Sequence, residues 1–336
     1  MKKWLAFLVL SLAVFWLAFG PVGRTLSDLW TACFTWLRPP GVLGAVWTVA
    51  TTLLGLLPQI LILFSYFYFL EKSGLNFPSH ILMGFGCTTV AVSTTKDKRT
   101  AILLPFIPCS AKAPVILMVA AALRLNFFVI FLMYAGCVLI GIAVSRTFAR
   151  VRHCEEHLRS KADEAIPTRK TNFAKSVTLN TLQFFKRISG PVLIAAAVLY
   201  FLKSYTFHFA RAVTFNESVL FWICDLLSPC FMPLGLGSAA VIAALAFGFL
   251  GKELAAATVL MFASPALLLS TAAPFGFTTA SLAAFVVFFM LYPSCICAIR
   301  ATAAQVGGRT AFLGVCLNLV VAYVAAFAVY AFFVVI

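Results

Sequence analysis
The chain has 336 residues, 63% of them hydrophobic and 10% charged, with a net charge of +15. A soluble domain is about one-quarter charged, so this composition cannot cover a water-facing surface and excludes a soluble globular protein. The positive charge gathers in one loop, where membrane topology calls for it, so no nucleic-acid partner is needed to explain it.

Apolar runs of membrane length recur over 4–19, 42–70, 101–123, 127–144, 191–202, 239–262, 282–299 and 311–336. Crossing the hydrocarbon takes about 20 helical residues, so the shorter runs must borrow polar residues at their ends. A lipid-facing backbone must satisfy its own hydrogen bonds, which leaves helices as the spanning element. The expectation is an all-α polytopic membrane helix bundle of about eight transmembrane helices.

The chain opens on Met1-Lys2-Lys3 before the first run. No small-residue cleavage site follows, so this reads as an uncleaved first helix. A first repeat is drawn over 42–145. Within it, Gly84 and Gly86 remove side chains beside Cys87, which lets another backbone or a ligand come close. Pro105, Pro108 and Pro114 then surround Cys109-Ser110-Ala111-Lys112. Each proline removes an N–H donor and disturbs a carbonyl one turn earlier. Freed carbonyls and a cation at membrane depth are tolerated when they are buried in protein or line a wet cavity. The plainer alternative is a simple kink repaired by Ser110.

The loop over 146–187 holds ten Lys/Arg against four acids. That bias places it in the cytoplasm, and four spans on either side bring both termini there too. Within it, His153-Cys154-Glu155-Glu156-His157 sets two histidines four apart, which is ligand spacing for a transition metal if the segment is helical. Flanking arginines on a solvated loop fit an ordinary amphipathic stretch equally well, and both readings stay open.

The second repeat, 188–303, carries Phe247-Gly248, Lys252-Glu253 and Pro293-Ser294-Cys295, and a final helix fills 304–336. Pro191 through Ser204 echoes Pro58 through Ser73, and the expected topology makes the two repeats inverted, a transporter arrangement. Lys252 and Glu253 point about 100° apart on a helix, so each needs a partner from elsewhere or a role in fastening helices together. The ten cysteines are scattered without a disulfide framework. No phosphate loop, dinucleotide fingerprint, zinc-protease helix or serine elbow is present, so neither catalysis nor GTP turnover is expected of this chain.

Several runs, in order, resemble the membrane domain of the bacterial ferrous-iron transport protein B family. They are Leu57-Pro58-Gln59-Ile60-Leu61-Ile62-Leu63-Phe64, Leu70-Glu71-Lys72-Ser73-Gly74 and Gly84-Phe85-Gly86-Cys87. Arg99, Pro105-Phe106 and Cys109-Ser110-Ala111-Lys112-Ala113-Pro114-Val115 continue the series. Pro233-Leu234-Gly235, Gly248-Phe249 with Lys252-Glu253, and Pro293-Ser294-Cys295 complete it. The chain departs from the family in Thr88-Thr89-Val90, where Asn-Val-Pro is usual, and in Lys112, where arginine is usual. It is also expected to lack the family's N-terminal G-protein domain.

The resemblance implies passage of ferrous iron across the cytoplasmic (inner) membrane, along a path between two gate segments. Cys87, Cys109, Ser110, Glu253 and Cys295 would line that path; Gly84, Gly86, Lys112, Pro114 and Lys252 would line the gates. No permanently bound cofactor and no nucleotide site are expected, with Fe²⁺ as the cargo. The expected partners are membrane lipid and a separate G protein or small cytoplasmic protein at the basic loop, with a homo-oligomer left open. Rival readings are a gate-type carrier of a nucleoside-like organic solute and a non-transporting membrane subunit that binds a partner protein.

Overall fold
The computed structural model describes residues 79–95, 98–151, 173–207, 210–212, 214–252, 255 and 277–335, together with single positions 25, 29, 32, 47, 51, 61, 62 and 65. The expected spans at 4–19 and 42–70, the second half of 239–262, Glu253, and the His153, Cys154 and His157 cluster lie outside the described residues.

Among the described residues the architecture is helical. In chain order the helices are α1 (Ser79–Gly86), α2 (Thr88–Thr94), α3 (Lys98–Leu103), α4 (Ala113–Ala122), α5 (Phe127–Val151) and α6 (Phe173–Ser204). They continue with α7 (Val219–Phe231), α8 (Ala239–Leu250), α9 (Thr279–Leu291), α10 (Ile296–Val306) and α11 (Gly308–Val335). Among the described residues three stretches are long and apolar enough to cross a membrane: Phe127–Thr147, Thr279–Val306 and Gly308–Val335. Two bent pairs raise the number to five if each is one span: Arg99–Lys112 with Val115–Ala122, bent by 68°, and Val219–Leu234 with Ala239–Phe249, bent by 101°.

The structure revises three boundaries. First, α5 runs on to Val151 and α6 begins at Phe173, so helix extends into both ends of the basic segment at 146–187. Second, α7 is a helix where no apolar run was drawn, because Asp225 and Pro229 interrupt its hydrophobicity. Its start is set by Ser218, whose hydroxyl accepts from the Phe221 N–H at 3.2 Å, an N-cap bond that satisfies one of the orphan donors of the first turn. Third, the run 239–262 is not continuous helix at Gly251, which is extended at φ −155° and ψ 127°.

The turn between α7 and α8 depends on Gly235. Its φ of 66° is left-handed, and a Cβ there would lie 2.6 Å from the Tyr330 ring and 2.8 Å from Ser281 Cβ. Both the backbone and the space demand glycine, which is the physical content of the Pro233-Leu234-Gly235 motif.

Helix α9 is the central element. It is apolar all round and buried on nearly every side, as expected of a helix enclosed by others. A Thr278–Ser281 capping box starts it, with each side chain accepting from the other's backbone N–H. Two hydrophobic clusters flank its C-terminal end. One includes Val115, Val119, Phe285, Phe288, Phe289 and Tyr292; the other includes Met83, Val90, Leu104 and Ile107. Two of the chain's crossings between these clusters lie between Ile107 and Val115 and between Tyr292 and Cys295. Both passages are breaks in helices.

Candidate functional site
The first break runs from the 3-10 turn Leu104–Phe106, through extended Ile107 and Cys109, to the 3-10 turn Ser110–Lys112 and then α4. Pro105 and Pro114 sit in the first turns of their helices, where an N–H would have no intrahelical partner. Pro114 thus begins α4 after the break, in keeping with a broken helix over this segment and not with a simple kink. Gly84 makes room for this segment: a Cβ there would meet Leu104 Cδ2 at 3.0 Å and Ile107 Cδ1 at 3.4 Å.

A smaller break lies at Cys87, extended at φ −138° and ψ 109° between α1 and α2. Ser110 Oγ donates to the Gly86 carbonyl at 2.8 Å, so this hydroxyl repairs α1's end, not its own helix, and ties the two breaks together. The later half of the chain has a similar pair of features. Gly251 interrupts the chain after α8, just before Lys252, and Tyr292-Pro293-Ser294-Cys295 separates α9 from α10.

At the end of α9 the last carbonyls have no intrahelical donors, and Pro293 has no N–H to offer. Two buried lysines from the other segments supply them. Lys112, 1% exposed, donates through Nζ to the carbonyls of Met290 at 2.8 Å and Tyr292 at 3.0 Å. Lys252, 3% exposed, donates to the Pro293 carbonyl at 2.6 Å. Its ammonium also lies 3.7 Å from the centroid of the Tyr292 ring and 5.6 Å from that of Phe289. The Tyr292 hydroxyl donates to the Leu245 carbonyl at 2.9 Å, which holds the ring against α8.

Positive charge at a helix C-terminus complements its dipole, and a desolvated cation–π contact adds about 2 kcal/mol. The two lysines expected to line the gates are thus buried at the second break, each donating to main-chain oxygens. Tyr292 was not singled out in the sequence. The signal available was its place directly before Pro293-Ser294-Cys295, with an aromatic ring available to a buried cation.

The thiols gather around the same point. Cys87, Cys109 and Cys295 are each half-buried. They lie within electrostatic reach of one another, and Cys109 and Cys295 lie within reach of Lys252. Thr89 Oγ1 sits 3.7 Å from Cys295 Sγ, which ties α2 to the second break. Ser294 Oγ donates to the Pro105 carbonyl at 3.3 Å, joining the two breaks directly. Among the described residues no three His, Cys, Asp or Glu side chains converge closely enough to hold a metal together. The three thiols lie near one another without forming a closed cage.

No family model and no solved structure matches the chain. Curated proteins do. The Fe(2+) transporter FeoB of Staphylococcus aureus strain COL is 27% identical over 328 residues, covering 86% of this chain and 48% of that protein. The Fe(2+) transporter FeoB of Methanocaldococcus jannaschii is 26% identical over 267 residues, covering 73% of this chain and 40% of its own length. A Porphyromonas gingivalis Fe(2+) transport protein A/Fe(2+) transporter FeoB fusion protein is 27% identical over 213 residues, or 53% of this chain and 24% of that protein. The chain thus spans about half the length, or less, of the relatives it matches, and its similarity to ferrous-iron transporters extends over most of its own residues.

Proposed function
We propose that this chain forms the membrane path of a ferrous-iron transporter in the cytoplasmic membrane. The observation that carries the reading is the interlock of two broken helices, lined by Cys87, Cys109 and Cys295, in a chain similar to Fe(2+) transporters over most of its length. Sulfur ligands with scattered oxygens suit Fe²⁺ better than Mg²⁺ or Ca²⁺. An open path of neighbouring weak sites also allows the ion to leave, which a tight cage would not.

In this reading the interlock is the closed gate. The ammonium groups of Lys112 and Lys252 occupy main-chain oxygens at the second break and repel an arriving cation. Opening moves the ammonium groups off those oxygens. Glu253, beside Lys252, is the carboxylate that would receive the metal in their place. The membrane potential contributes about 4.6 kcal/mol per divalent cation at 100 mV, enough for concentrative uptake. Uptake of Fe²⁺ by reconstituted protein tests this. Glu253→Gln keeps shape and removes charge, and it should insert normally while losing most of the uptake. Uptake at the wild-type rate would make the carboxylate structural and move the organic-solute reading ahead.

The paired breaks, at Cys87 and 107–109 in one half and at Gly251 and 292–295 in the other, support the inverted-repeat reading over 42–145 and 188–303. With about eight spans, both termini and 146–187 face the cytoplasm, where the basic loop is the docking place for a separate G protein or small cytoplasmic protein. Cysteine labelling at Lys161 (Lys161→Cys) should show protection from an impermeant reagent added outside intact cells; labelling from outside would overturn the topology.

A further inference from the structure
A second polar feature lies against the two proline breaks. Asn318 sits within α11, is 1% exposed, and its Oδ1 is buried without a hydrogen-bond partner. It lines a small crevice with Pro105, Pro293, Ser294, Thr302 and Thr310, bringing α11 against both proline breaks. The crevice has room for a single water-sized occupant.

Two of the hydroxyls there, those of Ser294 and Thr302, already donate elsewhere. Ser294 Oγ donates to the Pro105 carbonyl at 3.3 Å, and Thr302 Oγ1 donates to the Ala298 carbonyl at 2.9 Å. Each of those two oxygens keeps acceptor capacity, and Asn318 adds an amide oxygen that accepts from nothing. A buried amide oxygen without a donor is costly, and a cation satisfies it. No carboxylate or thiol lines the crevice, so nothing offsets a second charge or favours a soft metal. Neutral oxygens in a space of this size fit an alkali ion.

We propose that this crevice binds one monovalent alkali cation, Na⁺ or K⁺, through the oxygens of Ser294, Thr302 and Asn318. The bound ion fastens α11 to the two proline breaks and favours the closed arrangement. The site does not depend on what the main path carries.

The test is the melting midpoint of the purified full chain in detergent. NaCl or KCl is titrated against N-methylglucamine chloride at constant ionic strength. The expected result is a saturable rise of about 2–4 °C with one of the alkali ions. Asn318→Leu should abolish the rise, and Thr302→Val, which removes only a hydroxyl bonded within its own helix, should weaken it. Asn318→Asp should shift saturation to lower ion concentration. An identical midpoint in N-methylglucamine, or an alkali-dependent rise that survives in Asn318→Leu, would overturn the proposal and leave the crevice as a site for water alone. Melting reports this site without iron, so its failure is distinguishable from failure of the iron-transport reading.

Discussion

Lys112→Met should be among the most damaging single substitutions in this protein. The methionine matches the length of the lysine stem and keeps its apolar contacts, but it takes the donor away from two carbonyls at once, those of Met290 and Tyr292. Each buried acceptor left without a partner costs about 1–3 kcal/mol, so the loss is about 2–6 kcal/mol, concentrated at the second break. The expected outcome is a melting midpoint far below wild type, or protein that does not assemble. In variants that do assemble, vesicles should leak cations, because nothing then occupies those oxygens in the closed gate. Lys112→Arg supplies donors of the same charge and should retain most of the stability. Lys252→Met should cost less, since it removes one hydrogen bond and the contact with the Tyr292 ring. A Lys112→Met midpoint equal to wild type, with tight vesicles, would show that the ammonium holds nothing together.

Cys109→Ser should change selectivity more than stability. Cys109 is half-buried in extended backbone at φ −77° and ψ 165°, with no capping bond from its side chain, so a hydroxyl there disturbs little packing. What changes is the donor atom: oxygen replaces sulfur beside Cys87 and Cys295. Softer ions lose more from that exchange than harder ones. Uptake of Fe²⁺ and Zn²⁺ should fall relative to Mn²⁺ by about tenfold, equivalent to about 1.4 kcal/mol in site affinity. Competition uptake in vesicles reads this ratio directly. Equal losses for all three ions would place Cys109 off the path, with an effect on gating alone.

The prolines around Cys109 marked the first break in the sequence, for a local reason, whereas Pro293 lay inside a run read as one span. Proline lacks an N–H wherever it stands, and Gly84 and Gly86 lack side chains, so interruptions near 87 and 109 follow from short windows of sequence. Membrane character was equally legible, because a chain that is 63% hydrophobic has no water-soluble solution. Helix α7 was not legible, since Asp225 and Pro229 mask a helix whose ends are set by Ser218 and by the turn at Gly235.

What the tertiary structure alone decided is which group satisfies which break. The sequence by itself determined that Lys112 and Lys252 need partners, because an ammonium in an apolar segment cannot stay bare. It could not determine that both turn to carbonyls at the end of α9, 178 and 41 residues away at their respective bonds. Nor could it show that Ser110 caps Gly86, or that Asn318 meets the two prolines across 189 residues of intervening chain between Pro105 and Ser294. A freed carbonyl announces a need for a donor in its own few residues of sequence. The donor is whichever side chain the packing of distant helices brings within about 3 Å, and that distance is a property of the assembled bundle.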